Sequence, residues 1–426
     1  MISILNFESV GIDGVLSRLA EKVDVSGIVT PILEAVSTRG DAALKEYCLK
    51  FDQSDLDTFE VSEAEIEEAF SSVGREFVAI LEEAAENIRT YHKNQVREGF
   101  ELRKENGVVL GQKVTPIERV GLYVPGGTAA YPSSVLMNAI PAKIAGCREI
   151  VMTTPAREGK ISPYILTAAK IAGVSRIFKL GGAQAVAALA YGTESVPKVD
   201  KIVGPGNAFV AEAKRQVFGR VAIDMIAGPS EILVVADETA RASYVAADLL
   251  SQAEHDKNAS AVLVTPSESL ASAVQAELER QIPLLSRCEI ARTSIDANGK
   301  IILVSSLEEA LSVANAIAPE HLELCIENPM EWLDKVENAG SVFLGNYCPE
   351  ALGDYFAGPN HTLPTSGTAR FSSPLSVDDF VKKTQYSFVT REALSEMADK
   401  VVTFARAEGL TAHAESVAIR GREENL

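Results

Sequence analysis

The chain is short of paired cysteines, of basic charge and of long apolar runs. Its five cysteines, Cys48, Cys147, Cys288, Cys325 and Cys348, are odd in number, scattered and never spaced Cys-x-x-Cys. That excludes a disulfide frame or a zinc ribbon and predicts reduced thiols in a cytoplasmic protein. No uncharged stretch is long enough to span a bilayer. Residues 1–13 lack a basic segment followed by an apolar one, so no secretory signal is expected. Lys and Arg number 40 against 59 Asp and Glu, a formal net charge of -19. Such a field repels phosphate backbones, which argues against nucleic-acid and anionic-membrane partners while leaving room for local basic groups to bind an anionic cofactor.

At 426 residues the chain exceeds one ordinary hydrophobic core, and length alone suggests roughly two to four domains. Residues 13–100 read as helical, with apolar positions at helical spacing in 28–47 and 64–91. From residue 120 the pattern changes. Strand-like runs at 120–124, 149–154, 176–180 and 201–203 alternate with the loops Pro125-Gly126-Gly127, Gly181-Gly182-Ala183-Gln184 and Gly204-Pro205-Gly206-Asn207 and with a helical run at 163–172. A second set follows, with strands at 232–236, 261–264 and 301–304 and helices at 240–254 and 307–317, the last ended by Pro319. Strand, loop and helix repeating every 25 to 30 residues or so is the pattern of right-handed βαβ crossovers on a parallel sheet. Residues 349–375 read as a long loop, 392–407 as an amphipathic helix and 408–420 as a short tail. The expected architecture is α/β: an N-terminal helical arm, two parallel-sheet domains with one inserted in the other, and a small helical C-terminal domain.

Four of the five histidines lie in short polar motifs: Ser251-Gln252-Ala253-Glu254-His255, Ala318-Pro319-Glu320-His321, Asn360-His361 after Gly353-Asp354-Tyr355, and Glu408 with His413. Imidazole is the commonest metal ligand and the usual proton carrier near neutral pH. On a helix Gln252 and His255 lie about 60° apart with Asp248 on the same face, so the two can converge on one ion; a polar helix edge is the other reading of that pattern. Asp354 and His413 add donors, and a His/Asp/Gln set suits Zn²⁺ better than Ca²⁺. Glu320 and His321 follow a helix-breaking proline and make a base and acid pair, or a solvated loop. The glycine-proline loops permit a dinucleotide, although none is Gly-x-Gly-x-x-Gly or a Walker loop. Cys147, in Ala145-Gly146-Cys147-Arg148, has no base beside it in sequence and is expected to be packing.

The run Ile223-Asp224-Met225-Ile226-Ala227-Gly228-Pro229-Ser230-Glu231-Ile232-Leu233-Val234-Val235-Ala236, continuing through Ala240, Val245, Asp248, Leu249, Leu250, Ser251, Glu254 and His255, resembles the signature of the histidinol dehydrogenases. The resemblance extends over 120–127, 181–184, 204–207, 318–321, 353–365 and 408–413. It implies oxidation of L-histidinol to L-histidine by way of histidinaldehyde, using two NAD⁺. By the same resemblance Gln252, His255, Asp354 and His413 would hold one Zn²⁺ per subunit and touch the substrate. His413 would come from the neighbouring subunit of a domain-swapped homodimer. Ser230, His321, His361 and Glu408 would be further substrate contacts, Tyr123, Gln184 and Asn207 would meet NAD⁺, and Glu320 and His321 would be catalytic. The implied domains are an arm at 1–20, a metal-carrying and catalytic α/β domain at 21–122 and 231–374, an inserted NAD-binding domain at 123–230, each sheet an incomplete Rossmann-like one, and a swapped helical domain at 375–426. The alternatives are a related NAD- and zinc-dependent dehydrogenase of another small alcohol and a zinc hydrolase with Glu320 activating water.

Overall fold

A computed structural model of the chain describes residues 1–16, 24–126 and 130–422. Gly127 of the first glycine-proline loop, residues 17–20 of the expected arm, 21–23 and 423–426 lie outside the described residues. The chain divides into two compact units: Met1–Gln95 with Ile117–Phe380, and Val96–Pro116 with the residues from Val381 on.

The first unit is built on two parallel sheets. One has five strands in the spatial order Arg176–Lys179, Glu149–Thr154, Arg119–Tyr123, Lys201–Val203, Ala222–Ile223. Counted along the chain this is 3-2-1-4-5, the winding of a Rossmann sheet, with its switch point between Arg119–Tyr123 and Lys201–Val203. The other sheet has Lys300–Leu303, Ser260–Thr265, Glu231–Ala236, His321–Cys325 and Ser341–Leu344 in the same 3-2-1-4-5 order, extended by Ser3–Asn6 at its edge. These strands are apolar on both faces because helices cover both. Alternation divides each sheet's residues between two cores. On the five-stranded sheet Val151, Phe178 and Ile202 face one core while Leu122, Ile150 and Met152 face the other. On the six-stranded sheet Ile232, Val234 and Leu263 face one core and Leu233, Val235 and Leu322 face the other.

Three features depart from the sequence reading. The arm is not purely helical: Ser3–Asn6 adds a parallel strand against Lys300–Leu303 before the helix Phe7–Leu16. Four residues are too few to show an alternating pattern. The helices Ser26–Arg39, Asp41–Asp52, Glu63–Ser72 and Arg75–Lys93 complete the cores of the five-stranded sheet, not of the sheet they were grouped with. Leu33 and Leu44 pack with Phe178 and Val186, while Leu81 and Ile88 pack with Leu136 and Ile165. The third departure is the second unit, which is not all helical. Val381–Phe388 pairs antiparallel with Val109–Pro116, which pairs with Phe100–Arg103. Gly111 stands opposite Tyr386, whose ring a Cβ there would overlap. The helices Arg391–Ala407, capped by Thr390, and Thr411–Ala418, in what had read as a tail, pack together in the same unit. Among the described residues no helix is long and apolar enough to cross a membrane.

A proline joins the two sheets' substructures. Pro141 lies inside the helix Pro132–Ala145, so the carbonyl of Met137 has no N–H four residues on. The buried side chain of Asn360 fills the gap: Nδ2 donates to Met137 O at 2.6 Å while Oδ1 accepts from Thr362 N at 2.9 Å. The loop carrying His361 is thereby fixed on the helix that follows the first strand of the five-stranded sheet. Asn360→Ala should cost about 1–3 kcal/mol in urea unfolding because it strands a buried carbonyl. In a Pro141→Ala background, where the helix supplies its own N–H, the same change should cost less, with a coupling of roughly 0.5–3 kcal/mol. Strictly additive costs would show that Asn360 does not replace the missing donor.

Candidate functional site

Strands Glu231–Ala236 and His321–Cys325 are the first and fourth of the six-stranded sheet and lie side by side with Ile232 opposite His321. At their amino ends a single residue's backbone serves two side chains. Glu231 N–H donates to Glu320 Oε2 at 2.9 Å, and Glu231 O accepts from His321 Nδ1 at 2.9 Å. A carbonyl cannot donate, so Nδ1 carries the proton and Nε2 is left as the basic nitrogen. Ala318, in the left-handed region at φ 52, ends the helix Leu307–Ile317, and Glu320 and His321 follow it into the sheet. Both are buried. Burial holds the His321 imidazolium below its ordinary range, and burial with the charges of Glu231, Asp354 and Glu350 raises the Glu320 carboxyl well above its own.

Period-two alternation puts His321, Glu323 and Cys325 on the side of the sheet opposite the core that holds Leu322 and Leu324. There they meet the helices Ala242–Ala253 and Glu350–Tyr355. Glu323 Oε1 accepts from the backbone N–H of Glu350 at 2.7 Å, and Glu350 Oε2 accepts from Ser251 Oγ at 2.9 Å. Glu350 Oε1 lies 3.8 Å from His321 Nε2, and neither atom has a hydrogen-bond partner. Asp354, one turn on from Glu350, shares its face. His321, Glu350 and Asp354 offer donor atoms all within 4.8 Å of one another. Burial first, then the charge of Glu350, pushes the Asp354 carboxyl up to about 8. His361 Nδ1 donates to Asp354 O at 3.1 Å and Nε2 lies 3.4 Å from Ser134 Oγ; burial lowers this histidine to about 4. Imidazole with carboxylate, their donor atoms this close together, is a set that fits zinc.

The expected residues are only partly brought together. Asp354, His361, His321 and Glu320 converge. Gln252 is buried at the end of the helix Ala242–Ala253, and His255 lies in the turn beyond it, not on the helix, with its N–H bonded to Gln252 O at 3.0 Å. The position of His255 is close enough to weigh on both His321 and His361 electrostatically. Ser230, half-buried, precedes the strand at the same edge, and its carbonyl accepts from Ser260 N. Glu408 and His413 are exposed in the second unit. Glu350, Glu231 and Ser134 were missed. The signal for Glu350 was its spacing of four from Asp354 after a proline, inside a segment read as loop.

The loops expected to meet NAD⁺ stand at the carboxyl ends of the five-stranded sheet. Tyr123 ends the switch-point strand, and its hydroxyl accepts from Gly182 N–H at 3.1 Å. Gly204 sits across the switch at φ 113, where a Cβ would strike the Tyr123 carbonyl at 2.1 Å. The buried Lys214–Asp224 ion pair holds this glycine from both sides: Lys214 Nζ donates to Gly204 O at 3.0 Å, and Asp224 Oδ2 accepts from Gly204 N at 2.7 Å. Asn207 Oδ1 caps the helix Ala208–Val217 by accepting from Phe209 N and Val210 N. Gln184, 1% exposed, has an Nε2 without a partner, and its helix Gly182–Tyr191 starts with no side-chain cap. A helix N-terminus without a side-chain cap from its N-cap residue and an unpaired buried donor fit a dinucleotide. Cys147 is buried, donates to Phe380 O at 3.8 Å and is pushed up to about 11 by burial, the inert packing thiol expected.

A sequence model of the histidinol dehydrogenase family matches residues 17–421. A histidinol dehydrogenase of Bacillus cereus is 58% identical over 396 residues, covering 93% of this chain and 92% of its own, and one of Clostridium acetobutylicum is 55% identical over 401 residues, covering 94% and 93%. The crystal structure of histidinol dehydrogenase from Elizabethkingia anophelis, 40% identical, superposes with a TM-score of 0.94 and covers 100% of this chain and 98% of that one. The chain belongs to the histidinol dehydrogenase family.

Proposed function

We propose that the protein is an NAD-dependent, zinc-requiring enzyme that oxidises L-histidinol to L-histidine through histidinaldehyde, closing histidine biosynthesis. The observation that carries this reading is the buried Glu320–His321 pair, held on the backbone of Glu231 with the Nε2 of a neutral His321 unbonded. Bound NAD⁺ supplies the hydride acceptor, and zinc a fixed point for the substrate's amine and ring nitrogen. His321 Nε2 takes the alcohol proton as C1 gives up its first hydride, leaving the aldehyde. Glu320 then takes and keeps a proton from water as the water oxygen adds to that carbon, and the resulting hydrate anion gives up the second hydride to a second NAD⁺ to become the acid. A cation among the acids would offset the burial and the neighbouring charges that raise the Glu320 carboxyl, and so favour its use as a base.

In the reading that best fits the family, Gln252, His255 and Asp354 hold zinc with His413 of a second copy. Ser230, His361 and Glu408 complete the substrate pocket, and Tyr123, Gln184 and Asn207 meet NAD⁺. The exposed apolar side chains of the second unit, Phe100, Leu102, Phe388 and Phe404 among them, support a homodimer that covers them. Free cysteines, three of them buried, support a cytoplasmic setting.

Purified protein should form two NADH per L-histidinol, lose turnover on chelation and regain it with zinc. One NADH per substrate would confine it to the alcohol step, and absence of NAD⁺ binding in calorimetry would favour a zinc hydrolase. Glu320→Gln should leave oxidation of histidinol to the aldehyde within a few-fold of wild type and slow oxidation of added histidinaldehyde by about 10²- to 10⁴-fold. Equal loss in both half-reactions would remove Glu320 from the role of base.

A further inference from the structure

In a sheet wound 3-2-1-4-5 the adenosine half of a dinucleotide lies across the carboxyl ends of the first three strands, and its ribose is met by an acid at the end of the second. Here the second strand, Glu149–Thr154, runs into Pro155-Ala156 and supplies no carboxylate. One arrives from outside the sheet. Asp52 is the last residue of the helix Asp41–Asp52, after which Gln53 turns left-handed at φ 53. Ser54 then ties this turn to the loop behind the second strand, donating from Oγ to Ala156 O at 2.6 Å and accepting from Gly159 N at 3.0 Å. Asp52 Oδ1 comes within 3.3 Å of the point where a Cβ on Gly181, in the loop after the third strand, would stand; the Pro155 side chain is 2.6 Å from that same point.

The Asp52 carboxylate is therefore lodged between the ends of the second and third strands. Its Oδ2 is buried and has no hydrogen-bond partner. Beside the next residue of the same turn stands Gln184, whose Oε1 lies 2.8 Å from a Cβ position on Gly182 and whose buried Nε2 is likewise unpaired. An acceptor-only group and a donor, both without partners, flank one turn. Burial pushes the Asp52 carboxyl up to about 6, as for an anion whose compensating donors are not part of the chain.

We propose that Asp52 accepts hydrogen bonds from the ribose hydroxyls of the adenosine half of NAD⁺ and, by repelling a 2′-phosphate, selects NAD⁺ over NADP⁺. The proposal rests on the reading of this sheet as the dinucleotide site. A ribose diol offers two donors to one carboxylate, whereas a 2′-phosphate would bring a second anion into a group that already lacks a counter-charge.

The test is calorimetric titration of the full-length protein, wild type and Asp52→Asn, with NAD⁺, NADP⁺ and AMP at pH 7.5. Loss of hydrogen bonds to a charged acceptor predicts that the variant binds NAD⁺ and AMP about 10- to 100-fold more weakly. NADP⁺ should bind the variant as well as the wild type or better, so that discrimination falls. If the wild type binds NAD⁺ and the variant keeps both its affinity and its NAD⁺/NADP⁺ ratio, Asp52 has no such role and the dinucleotide reading stands. Weaker NAD⁺ with an unchanged ratio would move the contact to the adenine amino group and overturn the ribose assignment. A wild type that binds no dinucleotide overturns both.

Thermal unfolding without ligand separates binding from folding. The folded carboxyl titrates above its ordinary value of 3.8, so the stability it contributes is complete below that value and is lost as pH rises through about 6. Asp52→Asn should therefore melt above wild type at pH 8 and level with it at pH 4. A variant that melts lower at pH 8 would mean that the chain itself satisfies the carboxylate, which overturns the proposal.

Discussion

The two hydrogen bonds made by the backbone of Glu231 fix the orientation of Glu320 and His321, the base and acid pair of the proposed reaction. They exist because strands Glu231–Ala236 and His321–Cys325 are neighbours at the switch point of the six-stranded sheet, in a register that sets Ile232 against His321. The residues 237–320 separate the strands in sequence, and the helices Ala242–Ala253, Glu268–Gln281, Cys288–Asn298 and Leu307–Ile317 among them pack on the two faces of the sheet. A slip by one residue would reverse every side chain on the strand and send His321 and Glu323 into the apolar core that holds Leu322 and Leu324. The apolar alternation of this strand and the position of His321 are thus one constraint.

Much of this was legible in the sequence. The parallel strands and their crossover helices were readable because glycine and proline punctuate apolar runs at regular intervals, and Glu320, His321, Asp354 and His361 stood out as histidines and acids in turns. What escaped reading was set by distant partners. Ser3–Asn6 becomes a strand only against Lys300–Leu303, and Val381–Phe388 only against Val109–Pro116. Neither segment carries a core-forming pattern of its own, since Val381–Phe388 is exposed over nearly its whole length. Glu350 lay in a stretch whose glycines and prolines concealed a six-residue helix. Asn360 explains itself only through Pro141, more than two hundred residues away. His255 was assigned to a helix face, whereas the helix stops at Ala253 and a turn carries the residue to the same neighbourhood. The second unit's make-up could not be anticipated because its hairpin and its helices come from opposite sides of the first unit in sequence.

The two sheets share one winding, but their candidate sites lie at opposite edges. In a parallel sheet crossover helices run against the strands, so the carboxyl edge meets helix N-termini and the amino edge meets helix C-termini. The carboxyl edge of the five-stranded sheet gathers the N-termini of Gly182–Tyr191 and Ala208–Val217, the second capped by Asn207, and the positive end of each helix dipole favours an anion such as a pyrophosphate there. The acid and imidazole cluster lies at the amino edge of the six-stranded sheet, the edge at which the helices Ala242–Ala253 and Leu307–Ile317 end, with Asp354 in the last turn of Glu350–Tyr355. That edge favours a cation, whether a metal ion or a protonated amine. Only the segment 224–230 separates the last strand of one sheet from the first of the other, and Gly228 within it donates to Thr365 Oγ1 at 2.6 Å. One short connection therefore links an anion-favouring edge to a cation-favouring edge, an arrangement suited to the proposed reaction of a dinucleotide with a cationic alcohol.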